Sequence, residues 1–199
     1  MSEIRAFIAF NFSEEIYSSL DKVTIDIKKR LSSLPIRWVP VHNIHLTIKF
    51  LGNITPFDVE KLKKALSDVS HTTTYIKISL LGSGTFPSYR RPRVIWIGLK
   101  YPPKLEEFQR LLEDRTAYDG FPREKRKFSP HITIGRVAKK ADKKEITEIG
   151  RILENINIGQ IGTDCLNQVH IFSSDLNRGG PVYNKLFTAS FSNENKKII

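Results

Sequence analysis

Asn43-Ile44-His45-Leu46-Thr47-Ile48-Lys49-Phe50-Leu51-Gly52 and Phe128-Ser129-Pro130-His131-Ile132-Thr133-Ile134-Gly135-Arg136 repeat one short pattern at two distant places in a chain of 199 residues. Both contain His-apolar-Thr-Ile. Residues rich in β-branched and aromatic side chains predict a strand over Ile44–Leu51 and another over Phe128–Val137. On a strand, positions two apart share a face, so each His points the same way as its Thr while the apolar residues between them enter a core. A polar pair on an apolar strand is costly unless something satisfies it. Finding the arrangement twice points to a shared purpose.

Outward from these blocks, strand and helix patterns alternate. Ile4–Phe12 reads as a strand, and Ser13 as the N-cap of a helix carrying Ile16, Leu20, Val23, Ile27 and Leu31 at helical spacing. Pro35 and Pro40 bracket Arg37-Trp38-Val39. Thr55-Pro56-Phe57-Asp58 has the form of a capping box with Pro in the first turn, followed by Val59, Leu62, Leu66 and Val69. Strands are expected at Tyr75–Leu81 and Val94–Leu99, with a loop at Gly82–Pro92 between them. A helix at Pro103–Tyr118 and a basic loop at Arg123–Lys127 precede the second block. A helix at Asp142–Leu153 and strands at Ile156–Ile161, Gln168–Phe172 and Tyr183–Phe191 complete the pattern, and the tail Asn193-Glu194-Asn195-Lys196-Lys197 reads as frayed. The class is α+β, with about four helices. No stretch resembles a long linker, so residues 1–199 are expected to form one domain.

Composition narrows the partners. Lys and Arg number 32 against 21 Asp and Glu, a formal charge of +11 that favours polyanions. Cys165 is the lone cysteine, which excludes an intramolecular disulfide and a cysteine metal cage and fits a reducing compartment. The N-terminal segment alternates too strictly for a signal peptide, and no apolar run is long enough to span a bilayer. The expected setting is cytoplasmic, with no membrane partner.

The residue types suit displacement at phosphorus. An unperturbed imidazole titrates near pH ~6.5, so one ring can accept a proton while another donates. Opening a cyclic phosphodiester in line requires such a pair on opposite sides of the phosphorus. A hydroxyl two residues along can stabilise charge on the phosphoryl oxygens. Zinc, by contrast, wants three or four N, S or carboxylate ligands, and no acidic residue lies within three positions of His45 or His131. A third copy, His71-Thr72-Thr73, lacks the apolar residues and reads as a loop or strand entry; His42 and His170 receive no role.

Together the two blocks resemble the 2H phosphoesterase superfamily, and more closely its bacterial and archaeal RNA 2′,3′-cyclic phosphodiesterase branch, long called 2′–5′ RNA ligases. The resemblance extends through Arg5-Ala6-Phe7-Ile8-Ala9, Trp38-Val39-Pro40, Arg91-Pro92-Arg93-Val94-Ile95-Trp96-Ile97-Gly98 and Gly180-Pro181-Val182-Tyr183. It implies a bilobal fold, two pseudo-symmetric lobes with antiparallel sheets facing a central cleft and helices outside. It implies catalysis by His45, His131, Thr47 and Thr133, with His45 as proton donor to the leaving 3′ oxygen and His131 as acceptor from water. It further implies an RNA substrate ending in a 2′,3′-cyclic phosphate (tRNA fragments among the candidates) and no metal or cofactor. The chain is expected to act as a monomer.

The resemblance also implies substrate contacts at Phe50 and Arg136, since an aromatic can stack a base and a guanidinium can bind phosphate. Each lies five residues after its histidine, and strict alternation turns that position away from the His face. The assignment therefore requires a bulge or bend at Gly135 and a comparable twist near Lys49. Trp38, Tyr89 and Tyr183 are weaker stacking candidates, and Arg90, Arg91, Arg93, Arg123, Lys125, Arg126 and Lys127 are candidates for RNA backbone contacts.

Overall fold

The computed structural model describes residues 3–177 and 180–192, which contain fourteen elements of regular structure counted with one short 3₁₀ turn. In chain order these are β1 (Ile4–Phe10), α1 (Glu14–Arg30), β2 (Ile36–Trp38), the 3₁₀ turn Val41–Asn43, β3 (Leu46–Ile54), α2 (Pro56–His71), β4 (Ile76–Phe86) and β5 (Val94–Lys100). Then follow α3 (Pro103–Tyr118), β6 (Ile132–Val137), α4 (Lys143–Glu154), β7 (Gln160–Leu166), β8 (Gln168–Asn177) and β9 (Gly180–Ser190). The strands form two antiparallel sheets, ordered β3-β1-β8-β9 and β2-β6-β5-β4-β7. Helices α2 and α3 pack on the first sheet, α1 and α4 on the second, leaving one face of each sheet to the cleft. The expected bilobal α+β architecture is present, and its layers follow from burying one face of every sheet under helices.

Local signals in the sequence work as expected at the helix starts. The Ser13 side chain accepts from the Ile16 amide, and Thr55 and Asp58 close a reciprocal capping box. His71 ends α2 and Thr72 caps it, so the third His-Thr copy is a helix terminus.

Several boundaries differ from expectation. Both motif strands begin one residue after the histidine, at Leu46 and Ile132, because His45 and His131 use their side chains on local carbonyls at the strand entry. Residues Gly82–Phe86 belong to β4 rather than to a loop. Their ladder with β5 outweighs weak glycine propensity, and Gly84 is required there because the Trp96 indole occupies the space where a Cβ would stand. The strand expected at Ile156–Ile161 lies later, at Gln160–Leu166, where pairing with β4 selects a polar, exposed edge segment that shows no apolar alternation. β8 and β9 run to Asn177 and from Gly180, longer than their apolar cores. The expected frayed tail lies outside the described residues.

Two irregularities shape the cleft. Between Ala9 and Ile8 of β1, the partner strand β3 advances from Thr47 to Lys49, so Ile48 is an extra residue; between Trp96 and Ile95 of β5, β6 advances from Thr133 to Gly135, so Ile134 is extra. Each bulge resets the alternation, putting two neighbours, Ile48 with Lys49 and Ile134 with Gly135, in buried positions.

Burying Lys49 demands a partner, and it has two. Its ammonium lies 2.5 Å from Glu113 Oε2 on α3 and donates to the Pro122 carbonyl at 2.8 Å, while the same Glu113 oxygen accepts from the Glu124 amide at 3.2 Å. The bulge is thereby tied to α3 and to the segment that carries the chain into the second motif. Removing one member leaves a buried charge alone. Glu113→Ala is expected to cost about 3–5 kcal/mol in urea unfolding, and Lys49→Met/Glu113→Leu to recover most of it; an unaffected single mutant would show the pair contributes nothing.

Candidate active site between the sheets

The entry to β3 is fixed from several sides. In the turn before it, the Asn43 and Ile44 amides donate back to Pro40 and Val41, and the Tyr17 hydroxyl of α1 donates to the Ile44 carbonyl at 3.1 Å. Held this way, the Asn43 carbonyl accepts from His45 Nδ1 at 2.8 Å. His131 repeats the arrangement with the Ser129 carbonyl, also at 2.8 Å. A carbonyl only accepts, so each neutral ring carries its hydrogen on Nδ1 and keeps the Nε2 lone pair free.

Each ring also rests on an aromatic pair. Phe7 stacks on His45 with centroids 4.7 Å apart and is itself stacked on Phe172 at 5.3 Å. In the other lobe, Phe86 meets His131 edge-on at 4.9 Å and leans on Trp96 at 5.3 Å. The β8–β9 hairpin closes the first lobe, since the Pro181 carbonyl accepts from the Asn43 side chain at 2.9 Å and Tyr183 meets His45 edge-on at 5.3 Å. Asn43 thus orients His45 through its carbonyl and holds the covering hairpin through its amide.

Thr47 and Thr133 lie on the cleft side, partly exposed, with no hydrogen-bond partner for either hydroxyl among the described residues. The bulges bring the remaining expected residues to the same face. Phe50 is 66% exposed and approaches Phe7 at 6.5 Å. Arg136 is exposed, and its positive charge acts on His45, His131 and Tyr183 alike. The extra residues are Ile48, beside Lys49 where a twist is expected, and Ile134, one position before the Gly135 expected to carry the bend. Arg136 belongs to no ion pair among the described residues.

Burial lowers the pKa of both histidines below the ordinary 6.5; the carbonyl hydrogen bonds oppose that shift and the Arg136 charge adds to it. A charge on His131 lowers His45 slightly further. His170, also on a cleft-facing strand, is bound through Nδ1 to Thr188 at 2.9 Å and is pushed down to about 4 by burial and Lys185, so it remains a neutral structural group. Among the described residues no cluster of three His, Cys, Asp or Glu is arranged around a metal site, and no helix is long and apolar enough to cross a membrane.

Of the weaker candidates, Tyr183 joins the site, whereas Trp38 packs on the core and the Tyr89 hydroxyl donates to the Ser83 carbonyl. Arg123 pairs with Asp114. Sequence reasoning missed Phe7, Phe86 and Asn43. For Phe7 a signal exists, since Phe7 and Ala9 alternate with the core residues Ala6, Ile8 and Phe10, but five apolar residues in a row read as a fully buried strand.

Two sheets, each presenting a His-x-Thr whose imidazole Nε2 has no hydrogen-bond partner among the described residues, and an arginine whose charge acts on both rings define a 2H phosphoesterase. The family model described as LigT like phosphoesterase matches residues 12–96 and again 98–183, and the chain belongs to that family. An RNA 2′,3′-cyclic phosphodiesterase of Aquifex aeolicus is 31% identical over 92% of this chain and 95% of its own length; one of Methanocaldococcus jannaschii is 32% identical over 90% and 96%. Escherichia coli LigT complexed with 3′-AMP superposes with a TM-score of 0.77 at 23% identity, covering 96% of this chain and all of that one. A Thermus thermophilus protein reaches a TM-score of 0.80 at 21% identity with the same coverage.

Arg136→Gln removes the cation that opposes protonation of both rings. NMR titration is expected to show the pKa values of His45 and His131 rising together, and static values would place the guanidinium away from the imidazoles.

Proposed function

We propose that the chain opens 2′,3′-cyclic phosphate ends of RNA to 2′-phosphates without a metal ion, by acid–base catalysis from His45 and His131. The observation that carries the reading is the matched pair of imidazoles, each with Nδ1 engaged by a carbonyl and Nε2 free. Relatives that carry the name RNA 2′,3′-cyclic phosphodiesterase over nearly their whole length support the substrate.

In this reading water attacks phosphorus in line with the 3′ oxygen. His131 Nε2 accepts the water proton as the new P–O bond forms. The P–O3′ bond breaks, and His45 Nε2–H donates to the departing oxygen. The hydrogen bond of His131 lies at the solvent-exposed side, from which water arrives, and this supports His131 as the base, while Phe7 and Tyr183 enclose His45. Thr47, Thr133 and Arg136 donate to the non-bridging oxygens, and Phe50 stacks the terminal base. The neutral rings favoured by burial suit the base; the acid regains its proton as the anionic phosphate enters. When the ribose 5′-hydroxyl of a second RNA end replaces water, the same displacement expels the same 3′ oxygen and leaves phosphate bridging a 2′ and a 5′ oxygen. Ligation through a 2′–5′ bond, and its reversal, is therefore a side activity of the same site. Both motifs come from one chain, which supports a monomer and a single bilobal domain acting on RNA ends such as tRNA fragments.

Incubation of a short RNA bearing a 2′,3′-cyclic phosphate, in excess EDTA, is expected to yield a 2′-phosphate. His45→Ala and His131→Ala are each expected to lower kcat by roughly 10²–10⁴-fold, with the double mutant far from additive. Binding of the RNA with no turnover would make the cleft a non-catalytic RNA-binding module.

Because both imidazoles titrate below 6.5, the kcat/KM profile of the free enzyme is expected to be bell-shaped with its maximum on the acid side of that value. A maximum at alkaline pH would exclude the pair as acid and base.

A further inference from the structure

Arg37, in β2, is the registered antiparallel partner of Arg136 in β6. Its neighbours Ile36 and Trp38 turn to the core, where their side chains crowd the Cβ position of Gly135 at 3.2 and 3.0 Å. Arg37 therefore shares the opposite, cleft-facing side with Arg136, and the row continues through Val94 of β5 to Phe86 of β4, the residue against His131.

Cross-strand partners hold their Cβ atoms about 5 Å apart, and like charges directly opposite destabilise a sheet. Both guanidinium-bearing residues are exposed, and among the described residues neither forms an ion pair with a carboxylate. Among the described residues Arg30, Arg110, Arg115, Arg123 and Arg151 pair with acids while Arg5, Arg90, Arg91, Arg93 and Arg126 do not; Arg37 and Arg136 are set apart by facing each other directly across two paired strands. Two adjacent arginines left without a counter-charge at the mouth of the site make a receptor for two negative charges in a row. A nucleoside cyclic phosphate offers one. An RNA strand offers the cyclic phosphate and then the phosphodiester on the 5′ side of the terminal nucleotide.

We propose that Arg37 is a binding residue for that penultimate phosphodiester, paired with Arg136 on the reacting phosphate, so that the enzyme selects ends of RNA strands over free cyclic nucleotides. This inference rests on the phosphodiesterase reading above. It also assigns β2 a purpose: a three-residue edge strand whose inward side chains are core and whose outward one extends the phosphate track.

The test compares kcat/KM for adenosine 2′,3′-cyclic phosphate with that for a tetranucleotide ending in the same group, in the wild type, Arg37→Gln and Arg37→Lys. The wild type is expected to prefer the tetranucleotide, and Arg37→Gln to lose roughly tenfold more on the tetranucleotide than on the mononucleotide, the loss falling on KM. Arg37→Lys is expected to retain part of the preference through its charge. In parallel, the salt dependence of binding of a non-hydrolysable tetranucleotide is expected to weaken by about 0.7 in log–log slope on Arg37→Gln. Equal losses on both substrates, or an unchanged tetranucleotide rate, would overturn the subsite. A wild type inactive on both would sink the phosphodiesterase reading instead, and the salt slope would then decide the subsite by itself: lowered in Arg37→Gln supports it, unchanged overturns it.

Discussion

A strand that alternates without interruption presents His45 and Thr47 to one face and sends the fifth residue after the histidine to the other. In both lobes a single inserted residue, Ile48 in β3 and Ile134 in β6, instead brings that fifth residue, Phe50 or Arg136, to the histidine face. The insertion makes two successive residues point into the protein. In β6 the second is Gly135, which fits because Ile36 and Trp38 occupy the space a side chain would need. In β3 it is Lys49, and burying it calls for Glu113 and the Pro122 carbonyl. Geometry that aims Phe50 at the cleft thus also fastens the segment leading to His131.

The two lobes solve the same problem with different residues. Each histidine is held by the carbonyl two residues earlier and supported by an aromatic pair, Phe7 with Phe172 and Phe86 with Trp96. The lobes then diverge in what surrounds each ring. His45 is covered by Tyr183 from the β8–β9 hairpin, while the partner of His131 lies toward solvent. At the fifth position one lobe offers a stacking surface and the other a charge. Burial depresses both imidazoles, and the Arg136 charge adds to that shift in each.

Much of this was legible along the chain because it depends on short-range rules. Ser13 and the Thr55–Asp58 box mark helix starts by satisfying their own amides, and His-apolar-Thr-Ile marks a strand with one polar face. The requirement for a bulge followed from alternation once the family resemblance had assigned Phe50 and Arg136 to the histidine face. In β3 it falls where expected, near Lys49, and in β6 the extra residue is Ile134, one before Gly135, because the residue that enters the ladder out of step is chosen by the partner strand, β5, far away in sequence. β7 was misplaced for the same reason: an exposed edge strand has little apolar pattern, and its pairing with β4 defines it.

The sequence by itself determined the α+β class, the two His-x-Thr blocks, the helix caps and the excess of positive charge, all of which are carried by residue types at fixed local spacing. Only the tertiary structure decided which residues accompany the histidines. Phe7, Phe86, Tyr183 and Arg37 reach the cleft through strand register and the fold of a hairpin, and Asn43 joins two segments 138 positions apart. Such contacts depend on long-range pairing, and no local periodicity encodes which distant strand will lie alongside.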